Sequence, residues 1–151
     1  MTLNRIILSL PLSDIVKHVQ LITFDNCTCA QVSEVDMTGA VLRFFTGVSV
    51  PWHLSLDSEG HLLVADYRND RILLLNSQLE LQRVLIDNNS QVELRYPTLL
   101  CYSETMKTLY IAHYSCTGRG RFPASDTISV FKLLWTTHDS LLLPIHKPLQ
   151  Q

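Results

Sequence analysis

The sequence predicts an all-β fold built from repeated four-stranded antiparallel units. Three observations carry that reading. First, residues 51–76, PWHLSLDSEGHLLVADYRNDRILLLN, are echoed 46 or 47 positions later: Pro51 returns as Pro97, the apolar pair around Leu54 as Leu99 and Leu100, and Val64-Ala65 as Ile111-Ala112. Self-similarity at a period in the forties marks one supersecondary unit repeated along a chain. Second, short apolar runs rich in β-branched and aromatic residues alternate with turn residues about every 8 to 12 positions, the spacing of an all-β meander. Third, Leu62-Leu63-Val64-Ala65 is apolar at every position and must be covered on both faces, whereas Ala40-Val41-Leu42-Arg43 is mixed.

Taken in order, the strands are expected near 19–25, 30–36, 40–46, 52–57, 61–66, 71–76, 80–86, 98–103, 108–113, 127–135 and 140–143. Asp36-Met37-Thr38-Gly39, Ser58-Glu59-Gly60, Arg68-Asn69-Asp70 and Asn76-Ser77-Gln78 supply the residues that tolerate turn geometry. Thr136-Thr137-His138-Asp139 closes the last hairpin, and Asn88-Asn89-Ser90 sits in a longer link. The segment 71–76 matches 31–36 forty residues earlier, Arg83-Val84-Leu85 matches Arg43-Phe44-Phe45, and Ile128-Ser129-Val130-Phe131 fills the corresponding place in the final unit. One unit thus holds the strands 52–57, 61–66, 71–76 and 80–86. Four-stranded units with apolar inner strands suit blades stacked face to face around an axis, a β-propeller.

The 151 residues are 46% apolar and 17% charged, with a formal net charge of −2. The chain is long enough for one domain with a core and too apolar to be disordered. Its near-neutral balance gives no overall attraction to nucleic acid or anionic membrane. No apolar run reaches the 18 or so residues that cross a bilayer, so no membrane partner is expected. Arg5 precedes a short apolar stretch at 6–12, but no small-x-small cleavage site follows. Cys27, Cys29, Cys101 and Cys116 are therefore expected as reduced thiols in a cytoplasmic protein.

Chemistry-bearing residues are few. Asp66, Asn69 and Arg71 place a carboxylate and a guanidinium across one turn; they read as a structural knot of charge-assisted hydrogen bonds. Trp52 and His53 open an inner strand, but a lone His without carboxylate or cysteine partners at ligand spacing is weak as a metal site or base. Cys27-x-Cys29 puts two sulfurs on one face of an extended stretch, without the second pair that a zinc site needs. Residues 115–126 interrupt the repeat with a basic, glycine-containing loop. Its Arg119 and Arg121 can meet phosphate or carboxylate, and Phe122 or the neighbouring Tyr114 can stack on a base or a peptide side chain. Arg95 joins them as a partner-binding candidate. A repeat break is also where neutral insertions accumulate. No phosphate loop, nucleophile elbow or H-E-x-x-H is present. No catalytic residue, metal or cofactor is expected.

Pro51, the Leu54/Leu56 strand, Asp57-Ser58-Glu59-Gly60, Leu63-Val64-Ala65-Asp66, Asn69 and Arg71 together resemble one NHL repeat. The resemblance is partial at 97–131, where His113 stands in place of the family's Asp and the insertion replaces the N-x-R turn. Residues 29–46 resemble only the outer half of a repeat, and residues 1–28 carry no signature beyond a strand near 19–25. The resemblance implies a partial NHL-type propeller of about two and a half blades: an outer half at 29–46, a full blade at 51–86, a degenerate blade at 97–143 and a tail at 144–151. Family propellers usually have six blades, so the chain is expected to be a fragment of a longer protein that self-associates when expressed alone.

The family resemblance further implies a non-catalytic interaction module whose rim loops bind a protein partner, or an RNA. Similar propellers supply substrate recognition in tripartite-motif and other RING-type ubiquitin ligases. A RING array is absent from these residues, so the ligase chemistry would reside elsewhere in a parent protein. Two alternatives stand beside this reading. One is a fragment of a metal-dependent propeller enzyme of the amidating-lyase or hydrolase type, using His53, Asp66 and His113. The other is an extracellular scaffold held by disulfides.

Overall fold

The structure, a computed structural model, describes residues 4–10, 17–23, 30–36, 38–57, 59–90, 92, 94–115, 125–135 and 140–144. They form three four-stranded antiparallel sheets, each contiguous in the chain. The first holds β1 (Asn4–Leu10), β2 (Lys17–Thr23), β3 (Gln31–Val35) and β4 (Val41–Phe45). The second holds β5 (Pro51–Leu56), β6 (Leu62–Asp66), β7 (Arg71–Leu75) and β8 (Leu81–Ile86), with a 3₁₀ turn at Tyr67–Asn69 between β6 and β7. The third holds β9 (Leu99–Ser103), β10 (Thr108–Ser115), β11 (Ser125–Trp135) and β12 (Ser140–Pro144).

The all-β, antiparallel expectation holds among the described residues. The number of units differs: three complete sheets stand where two and an outer half were expected. Residues 6–10 of the apolar stretch after Arg5 lie in strand β1, which pairs along its full length with β2. A five- to seven-residue apolar strand and a short leader core have the same composition, and only pairing separates them.

Asx chemistry closes the hairpins. Asp36 Oδ1 accepts from the Thr38 and Ala40 amides at 2.8 and 3.0 Å. Asp57 Oδ1 accepts from the Glu59 and His61 amides at 3.0 and 2.7 Å. Asn76 Oδ1 accepts from the Gln78 and Glu80 amides at 2.9 Å each. A short polar side chain that captures the amides two and four residues on fixes the reversal at its first residue. Gly60, at φ +87°, completes the second of these turns in a conformation that a side chain would strain.

The three sheets pack face to face. Alternation along β6 and β7 sends successive side chains to opposite neighbours. Leu62, Val64, Leu73 and Leu75, with Leu54, meet Val32 and Phe45 of the first sheet. Leu63, Ala65, Ile72 and Leu74 meet Leu100, Leu109, Ile111, Phe131 and Leu133 of the third. This accounts for the uninterrupted apolar run in β6, which is buried at every position. Each fully buried leucine or phenylalanine contributes about 1.5–3 kcal/mol.

Side chains also tie sheet to sheet. The Leu100 amide donates to His53 Nδ1 and the Tyr102 amide to Ser55 Oγ, both at 3.3 Å. These amides lie on β9, an edge strand whose outward N–H groups find no ladder partner and are capped by β5 side chains instead. Burial holds the His53 imidazole below its ordinary pKa, in keeping with a neutral ring that accepts at Nδ1. On the other side, Arg43 of β4 reaches Gln78 and the Ser77 carbonyl in the β7–β8 turn.

Candidate functional site

One end of the second and third sheets carries a row of four aromatic rings. Trp52 stacks on Tyr67 with centroids 4.9 Å apart and planes at 29°. Tyr67 meets Tyr96 at 5.1 Å and 36°. Tyr96 meets Tyr114 edge to face at 6.5 Å and 66°. Trp52 is 45% exposed and Tyr96 39% exposed, while Tyr67 and Tyr114 are half-buried beside them.

Each ring is put there by a specific backbone device. Trp52 occupies a β-bulge: Pro51 pairs with Asp66 and His53 with Ala65, leaving Trp52 as the extra residue. A bulge re-aims a side chain that regular alternation would send elsewhere. Tyr67 opens the 3₁₀ turn and its amide donates to the Val50 carbonyl at 2.9 Å. Tyr96 sits at φ +47°, the left-handed region that costs a non-glycine residue about 1–2 kcal/mol. Its amide donates to Asp70 Oδ1 at 2.7 Å, which holds it there. Tyr114 lies at the end of β10 and its amide donates to the Arg95 carbonyl at 2.9 Å.

Beneath the row lies a polar base. The Asp66 carboxylate is fully buried. Its Oδ1 accepts from the Ser49 and Val50 amides at 2.9 and 3.3 Å, and its Oδ2 from Asn69 Nδ2 and Arg71 Nε at 2.8 Å each. Arg71 extends to the Gly47 carbonyl at 2.7 Å and so pins the strand that leads into the bulge. Asp70, itself at φ +49°, accepts from Arg95 Nη1 at 3.2 Å. Asp70 thus clamps the second sheet to the segment leading into the third. The Tyr67 phenol is pushed above its ordinary pKa, first by burial and then by the neighbouring Tyr114, Tyr96 and Asp70. The raised Tyr67 phenol stays protonated and available as a donor at neutral pH.

Of the partner-binding candidates from the sequence, Arg95 and Tyr114 come together at this row. Arg119, Arg121 and Phe122 lie outside the described residues, as does Cys116. The strands that bracket them end at this edge, where Ser115 pairs with Ser125 next to Tyr114. Asp66, Asn69 and Arg71 form one hydrogen-bonded knot, as described. The histidines are engaged separately. His53 accepts from Leu100, and the buried His113 donates from Nδ1 to the Tyr114 carbonyl at 3.2 Å and accepts at Nε2 from Ser129 Oγ at 2.8 Å. Among the described residues, no group of three or more His, Cys, Asp or Glu is placed to hold a metal ion, and no helix is long and apolar enough to cross a membrane.

Sequence reasoning missed Tyr67 and Tyr96 and gave Trp52 no role. One signal was within reach: Val64-Ala65-Asp66-Tyr67 aligns with Ile111-Ala112-His113-Tyr114, so Tyr67 and Tyr114 are the same position of consecutive repeats. Trp52 and Tyr96 depend on a bulge and a left-handed residue, which periodicity does not reveal. No protein-family model matches this chain, and no curated protein matches it.

Proposed function

We propose that this chain is a non-catalytic interaction module of the cytoplasm that binds a protein partner through the aromatic row Trp52–Tyr67–Tyr96–Tyr114, with its three sheets serving as blades of an NHL-type propeller. The row carries the reading. Rings that are half exposed, in mutual contact and fixed by two backbone irregularities form a costly arrangement that the core does not need. Aromatic anchors of this kind dominate protein-binding surfaces. Face-to-face stacking of the sheets, with β5 against β9, supports the propeller reading. The NHL resemblance extends it to substrate recognition for a RING-type ubiquitin ligase. Cys101 is free and exposed, which suits a reducing compartment. A protein is favoured over RNA because the arginines in the knot beneath the row face carboxylates: Arg71 is paired with Asp66 and Arg95 with Asp70. The net charge of −2 adds no attraction for a polyanion.

The test is site-specific photo-crosslinking in cells, with the photoreactive residue at position 96 and, as control, at position 106 at the opposite end of the third sheet. The expected outcome is a protease-sensitive, ribonuclease-resistant adduct from position 96 alone, lost on Trp52→Ala. An adduct pattern identical at both positions, or one destroyed by ribonuclease, would overturn the reading.

A further inference from the structure

We infer that the aromatic row takes a proline-rich segment in the extended polyproline II conformation. The inference rests on the reading of the row as a partner surface and names its ligand class.

The ring geometry selects against a ligand intercalated between neighbouring rings. Centroid spacings of 4.9, 5.1 and 6.5 Å are those of rings in direct contact, within the ordinary range of about 4.5–7 Å. No third ring fits between neighbours. A nucleobase needs an open ring face, and the inner faces of this row are turned on one another. What the row offers outward is the exposed apolar surface of Trp52 and Tyr96, against which a pyrrolidine ring packs well.

Hydrogen-bonding capacity points the same way. Each member carries an apolar body and one polar tip: the Trp52 indole N–H and the Tyr67, Tyr96 and Tyr114 hydroxyls. Among the described residues none of these tips is taken up by a hydrogen bond. Toward the described residues, then, these four tips keep their donors available. A polyproline II segment is the complementary object. It has no internal hydrogen bonds, its carbonyls point outward as acceptors, and its prolines have no N–H to satisfy.

Repeat lengths agree as well. Polyproline II rises about 3.1 Å per residue with three residues per turn. Each neighbour spacing at the Trp52 end of the row, 4.9 and 5.1 Å, falls between one and two residue rises of such a ligand. Both partners are stiff before they meet. The bulge at Trp52 and the left-handed Tyr96 hold the rings in place, and a proline-rich segment has little chain entropy left to lose. Preorganisation on both sides lowers the ordering cost of association. At the edge of the row the Asp70 and Arg95 charges are paired with each other at 3.2 Å, so neither calls for a charged ligand.

The experiment titrates the full chain into fluorescein-labelled decaproline and follows anisotropy, with a glycine-serine decapeptide and a decauridylate as comparison probes. Saturable binding of decaproline alone is expected. Trp52→Ala should weaken it about tenfold, the loss for a ring contact worth about 1.4 kcal/mol. The double variant Tyr67→Phe/Tyr114→Phe keeps both rings and removes two donors. It should melt like the wild type and still bind several-fold more weakly. Failure of decaproline to bind, binding no tighter than the glycine-serine peptide, or insensitivity to the Phe double variant would each overturn the inference. If position 96 still crosslinks a protein in a Trp52-dependent manner, the proline-rich assignment alone falls; if it does not, the partner-surface reading falls with it.

Discussion

At Asp66 one carboxylate satisfies two backbone amides, an amide side chain and a guanidinium in a site with no access to water. Asp66→Ala strands the Ser49 and Val50 amides and frees Arg71, which is partly exposed and can rehydrate. The expected cost is about 3 kcal/mol, read from urea unfolding. His53 makes a pH-dependent contribution. Burial lowers its pKa in the folded state, while the unfolded imidazole titrates near about 6.5. Its stabilising effect is complete above that value. It is lost as pH falls from there toward the depressed folded value, because only the unfolded chain takes up the proton readily. The Leu100 amide adds a structural reason, since a protonated Nδ1 cannot accept it. His53→Gln should remove this slope. The difference in urea midpoint between wild type and variant should shrink from about pH 7 to pH 5, and a constant difference would refute the assignment.

Secondary elements show where the sequence was informative. The period-two and period-forties patterns located β3 through β12 to within a few residues, because burial on one or both faces leaves its mark in composition. The turns were legible wherever an Asp or Asn opens the hairpin, at Asp36, Asp57 and Asn76. Strand β1 was not legible, because its identity depends on pairing with β2. The aromatic row was half legible: Arg95 and Tyr114 were singled out and Tyr67 lay at repeat spacing, but the bulge at Trp52 is a property of register between β5 and β6. The Asp70 clamp belongs to this scale, since it joins the β6–β7 turn to the segment before β9. Asp70→Ala should release the Tyr96 amide and speed its hydrogen exchange by about an order of magnitude or more. Amides in β6 and β7 should keep their protection. Unchanged exchange at Tyr96 would mean that local chain packing, not the carboxylate, holds the left-handed residue.

For the molecule as a whole, the described residues cover the second sheet on both faces and the third on one. The uncovered face of the third sheet alternates out of the core with Leu99, Cys101 and Ile128. Leu99 and Ile128 are 55% and 56% exposed, and both pair in register with Ala112. Apolar rows of this kind recruit hydrophobic dyes and other apolar surfaces. The double variant Leu99→Lys/Ile128→Lys should cut fluorescence of a bound naphthalene-sulfonate dye several-fold and leave the melting temperature within a few degrees. Both side chains point away from the core, so the change should be confined to the surface. Dye binding that survives the substitution would place the apolar surface elsewhere.

Each sheet is contiguous in the chain, and the bonds that join β5 to β9 span 47 residues. During synthesis, then, every sheet can pair as soon as its own residues leave the ribosome, and each inter-sheet seal awaits only the next sheet. Assembly runs in one direction, from one completed layer to the next, and among the described strands none waits for a ladder partner from the far end of the chain. A translational arrest series should show resistance to protease arriving in steps, the second sheet becoming protected only once β9 has emerged to cap His53 and Ser55.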